Sequence, residues 1–156
     1  MCILFLNRFT LLLCGALAIG LEACNKAVVE PPGSASAAEP AGTTNALRTG
    51  TMQPQGGVAS SGTATIERDA AGAEFVRFAA NFRTDFHTGS LGVYLAKSDG
   101  LIRVQRAANS ANVVRVGTIV VDGAQALAVS GSATGYSHVI IHCDPAMYNF
   151  GAALVQ

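Results

Sequence analysis

The chain contains no tryptophan, few aromatic residues and little charge: ten basic side chains are matched by ten acidic ones over 156 residues. With a formal net charge of zero, and acids interleaved with bases, it has neither the basic stripe that grips nucleic acid nor a polybasic patch for an anionic membrane. Several catalytic signatures are missing as well. There is no Gly-x-Ser-x-Gly elbow, no Gly-x-x-x-x-Gly-Lys-Ser phosphate loop, no dinucleotide fingerprint and no His-Glu-x-x-His. The lack of Cys-x-x-Cys-His argues against covalent haem of the c type. Asp85, Asp99 and Asp122 occur singly in turn-like stretches, so no carboxylate pair for acid–base work is written locally. Whether the protein is an enzyme is left open by these absences, and no repeat of solenoid or propeller period appears.

Cysteine is scarce and unevenly placed. Cys2, Cys14 and Cys24 all fall in the first 24 residues, and only Cys143 lies beyond them. The apolar run from Phe9 to Leu21, preceded by Arg8, is shorter than the about 20 residues a membrane-spanning helix needs, so residues 1–23 read as an export signal. Leu21-Glu22-Ala23-Cys24 resembles the bacterial lipobox, although Glu22 departs from the small or apolar residue usual at that position. The resemblance implies cleavage before Cys24 and a lipid on its sulfur, making the membrane the first partner of the protein. An ordinary secretory signal cut near Ala23, leaving Cys24 as a thiol, is the alternative. Both place the domain outside the cytoplasm, and lipidation anchors it in the bacterial cell envelope, facing the periplasm or the cell surface.

Residues 24–55 are dominated by Ala, Pro, Ser, Thr and Gly, as in Pro31-Pro32-Gly33-Ser34, and sustain no hydrophobic period of 2 or 3.6. Such a stretch buries too little apolar surface to offset its ordering entropy and is expected to be a disordered tether. Residues 56–156 are then one small domain.

Period 2 governs that domain. Val76, Phe78, Ala80 and Phe82 alternate with Arg77 and Asn81, the pattern of a half-buried strand, and Thr63–Arg68 precedes it across a turn at Asp69–Gly72. Further short apolar segments follow at Leu91–Ala96, Leu101–Arg106, Val113–Val121, Gln125–Val129, Tyr136–Cys143 and Phe150–Val155, divided by Gly, Asp and Asn turns. About seven or eight short strands with no long helix predict an all-β domain, an antiparallel β-sandwich or barrel.

The order of Asn81-Phe82, Leu91-Gly92-Val93-Tyr94-Leu95, Val116-Gly117-Thr118-Ile119, Tyr136–Cys143 and Phe150-Gly151-Ala152-Ala153-Leu154 resembles the electron-transfer DM-thirteen domain over about residues 62–155. His142 stands where that family usually has an aromatic residue, and its Gly-Pro-Asp is reduced to Gly89-Ser90-Leu91. The resemblance implies a redox role for Cys143, an envelope redox protein as partner, and an association with haem. Taken from the residues alone, Cys143 shares a strand face with Val139 and Ile141, and a thiol sealed among aliphatic side chains is a poorly reactive core hydrophobe.

Spacing limits the cofactor sites this chain can build. His138 and His142 lie on one strand face but roughly 13 Å apart at ~3.3 Å per residue, too far to chelate one ion, and His142 points away from Cys143. A copper site would draw on Cys143, Met147 and His142, with His87 converging from a distant loop. A non-covalent haem would take His87, His138, His142 or Met147 as axial ligand, with no pattern selecting among them. Two readings therefore remain: a redox or electron-transfer lipoprotein centred on Cys143, and a noncatalytic envelope interaction or structural module in which Cys143 fills the core.

Overall fold

The computed structural model describes residues 38–156, so the expected signal segment, Cys24 and the first part of the tether lie outside the described residues. The elements are β1 (Thr44–Pro54), β2 (Thr63–Asp69), β3 (Glu74–Phe78), β4 (Leu91–Ala96), helix α1 (Ile102–Ala108), a 3-10 turn at Ser110–Asn112, β5 (Val113–Ile119), β6 (Gln125–Ala128), β7 (His138–Cys143) and β8 (Tyr148–Leu154). All strand pairs are antiparallel, in the spatial order β5-β4-β7-β8-β1-β2-β3-β6. The two ends of that order, β5 and β6, approach each other, so the eight-stranded sheet curls into a nearly closed barrel. The all-β expectation holds, in its barrel form.

Alternation along the strands sends one set of side chains inward. Ile66, Val76, Phe78, Leu91, Leu127 and Phe150 fill the interior, where the rings of Phe78 and Phe82 sit 4.4 Å apart. Outside the barrel, Tyr94, Ala96, Val113, Ile140 and Ala152 form a second, smaller cluster with Ile102 of α1. Apolar burial on both faces of β4 and β7 explains why these strands are continuous hydrophobic runs.

Three expectations need correction. The tether does not extend to residue 55, because Thr44–Pro54 is the longest strand of the sheet. Its side chains are mostly exposed and only Met52 is buried, so the strand is held by backbone ladders to β2 and β8 without an apolar stripe. Leu101–Arg106 contributes to a helix and not to a strand: Val104, which completed the apparent alternation, is 59% exposed, whereas Gln105 is buried. The Gln105 amide accepts from Ser98 N and donates to Ser98 O and Gly100 O, pinning the loop that leads into α1. Finally, β3 stops at Phe78; the chain turns through a Phe82 N–H to Ala79 O bond, which leaves Ala80 outside and returns Phe82 to the core.

Two carboxylates lock the turns. Asp69 accepts from the backbone N–H groups of Ala41, Ala71 and Ala73, closing the β2–β3 hairpin. Glu74 accepts from Ala133 N at 2.6 Å and pairs with Arg68, tying the β6–β7 loop to β3.

Candidate functional site

Strand parity places Cys143 as expected. It lies at the end of β7, 0% exposed, in the same interior cluster as Val139 and Ile141, while its carbonyl accepts the Met147 N–H at 2.8 Å and closes the turn into β8. Among the described residues it is the one free cysteine.

The residue before it faces the other way. His142 is 5% exposed on the outer face of the barrel, and its Nδ1 lies 2.9 Å from Asn149 Oδ1. Its ring meets the Tyr94 ring edge-on at a centroid distance of 5.7 Å, and Nε2 is 4.0 Å from Asp144. Asp144 organises this face: its Oδ1 accepts the Tyr94 hydroxyl at 2.6 Å and its Oδ2 accepts Arg115 Nη1 at 2.8 Å, while Arg115 Nη2 donates to Thr118. Burial, and then the bond to Asp144, push the Tyr94 phenol above its ordinary pKa.

Local backbone features make the cluster possible. A bulge between Val93 and Tyr94 brings Tyr94 opposite Arg115, and a second bulge between Ile141 and His142 brings His142 opposite Asn149. A Cβ on Gly92 would lie 2.7 Å from the Tyr94 ring and 3.1 Å from Asp144, so glycine there leaves the room in which the two side chains meet.

The candidate metal ligands are brought together only in part. His142 and Met147 line one cavity beside α1, together with Tyr94, Arg115 and Asp144, whereas His87 lines a separate surface cavity with Asp85, Phe86 and Asp122. In that second cavity the His87 N–H and ring bond to Asp85, and the backbone bond in particular holds the Asp85 carboxyl below its usual value. His138 contacts Ser137 Oγ. Cys143 lines neither cavity, and among the described residues no three His, Cys, Asp or Glu side chains converge as a metal-binding group.

Tyr94, Arg115 and Asp144 were not singled out in the sequence. They lie in different elements, and only the β4–β5 and β4–β7 pairings assemble them; the one local signal is Gly92 in the middle of an otherwise bulky strand. No protein-family model, curated protein or solved structure matches the chain.

Proposed function

We propose that this chain is a lipid-anchored module of the cell envelope whose β-barrel acts by binding rather than by redox catalysis, with Cys143 serving as a core residue. The observation that carries the reading is the position of Cys143: it has no exposed surface and belongs to the apolar interior of the barrel. Electron transfer through a thiol requires a thiolate that a partner reaches, and a single thiol requires a second sulfur or an oxidised intermediate to complete turnover. The chemistry-bearing side chains lie instead on the outer face, at the cavity beside α1. Export and lipidation at Cys24 complete the reading by giving the barrel its membrane anchor.

The test is made on the purified mature protein. Thiol labelling in native buffer and in denaturant, visible absorbance and metal content are measured together. A colourless, metal-free protein whose Cys143 reacts only after unfolding is the expected result. Rapid native labelling, or a visible chromophore lost in Cys143→Ala, would overturn it. Cys24→Ser is expected to move the protein from the detergent phase to the aqueous phase.

A further inference from the structure

We infer that the cavity between α1 and the outer face of β4, β5 and β7 binds a dianionic phosphate group. This deepens the reading of the barrel as a binding module and names the chemical class of its ligand. The cavity measures about 350 Å³.

Its charges do not cancel. Arg103 and Arg106 of α1 and Arg115 of β5 line it, with Asp144 as the one carboxylate in the wall, so three positive charges against one negative leave an excess of two. The chain as a whole sums to zero, which makes this excess a local arrangement. Arginine keeps its charge throughout the physiological pH range. Both oxygens of Asp144 are already engaged, by Tyr94 and by Arg115. Among the described residues, Arg103 and Arg106 have no carboxylate partner.

The donors are also positioned. The Arg106 and Arg115 guanidiniums lie 5.8 and 5.7 Å from the centroid of the Tyr94 ring, so a single buried aromatic side chain orients two cations at the cavity. Arg103 and Arg106 are exposed, so an oxyanion in the cavity can supply acceptors to both guanidinium groups. Guanidinium groups take phosphate through paired, charge-assisted bonds.

Two features extend the match. A phosphate monoester carries close to two negative charges at neutral pH, equal to the local excess. Ile102 and Met147 add apolar wall, suited to the organic part of such an ester. Met147 stands at a φ of 57°, a left-handed backbone rarely adopted by a side chain of its size, and lies at the rim of the same cavity.

The experiment titrates the purified protein with phenyl phosphate, inorganic phosphate and succinate at low ionic strength, by calorimetry and by thermal melting. Saturable binding of both phosphates, tighter than that of succinate, is expected. Arg106→Gln and the double variant Arg103→Gln/Arg106→Gln change exposed side chains, with the unliganded melting temperature checking the fold; affinity should fall by about tenfold per arginine. Binding should also weaken below about pH 6, where the phosphate ester becomes a monoanion. Absence of saturation, succinate bound as tightly as phenyl phosphate, or unchanged affinity in the double variant would overturn the inference. Native labelling of Cys143 is read on the same samples, so a reactive thiol beside intact phosphate binding would overturn the core role of Cys143 alone.

Discussion

Replacing Cys143 by alanine and by serine distinguishes an apolar core position from a chemically used one. Cys143 is 0% exposed in the interior cluster. Removing its sulfur forfeits about 0.8 kcal/mol of transfer free energy, taken as one methylene equivalent. A residual void of about 20 Å³ adds about 0.5 kcal/mol at about 24 cal/mol per Å³, so Cys143→Ala should cost about 1 to 1.5 kcal/mol. Serine nearly restores the volume but places a hydroxyl among aliphatic side chains, and an unpaired buried hydroxyl costs about 1 to 3 kcal/mol beyond the lost transfer term. The predicted order of stability is therefore wild type, then alanine, then serine, with serine about 2 to 4 kcal/mol below wild type. Urea unfolding followed by circular dichroism measures it, provided the slope with denaturant is common to all three; at about 2 kcal/mol per molar, alanine lowers the midpoint by roughly 0.6 M and serine by roughly 1 to 2 M. Serine at or above alanine would refute the reasoning, because it would mean that the site supplies a hydrogen-bond partner.

Other positions give independent checks. A Cβ at Gly50 would come within 2.1 Å of Leu154 O, a backbone atom, so Gly50→Ala should destabilise by about 1 to 3 kcal/mol in the same unfolding assay, and an unchanged midpoint would contradict the close β1–β8 crossing. Glu74 is held below the usual carboxylate value, first by the Ala133 N–H and then by Arg68. A depressed folded pKa means that the stabilisation is present above the unfolded value and is lost as pH falls through the folded one; wild type should lose melting temperature below about pH 4 more steeply than Glu74→Gln. Tyr94→Phe removes the donor to Asp144 and should cost about 1 kcal/mol, leaving thiol labelling of Cys143 unchanged.

Different parts of this fold were legible for different physical reasons. β2, β3, β4 and β7 announce themselves because burial on at least one face imposes alternation or continuous apolar runs. Parity within β7 was enough to send Cys143 inward and His142 outward. β1 was hidden because ladders on both sides hold it, and a ladder is made by backbone groups that every residue shares. α1 was misread because its decisive residue, Gln105, is buried to serve loop carbonyls, a reason that hydrophobicity does not record. The outer cluster was illegible for another reason: Tyr94, Arg115 and Asp144 are neighbours only after three strands have paired, with bulges setting which side chains meet.

The placement of β1 has a mechanical consequence. The first described strand, on the side of the proposed lipid, is not at the sheet margin: it lies between β8 and β2, with Thr44–Thr51 bonded to β2 and Met52–Pro54 to β8. Tension arriving from the proposed membrane anchor would therefore load the β1–β2 ladder first and reach the β8 ladder only at Met52–Pro54. Mutual bonds between Thr49 and Gln156 join the chain's entry strand to its final residue at the middle of that strand. The pull would thus be met by hydrogen bonds in shear along β1, reinforced at Thr49 by its two bonds to Gln156.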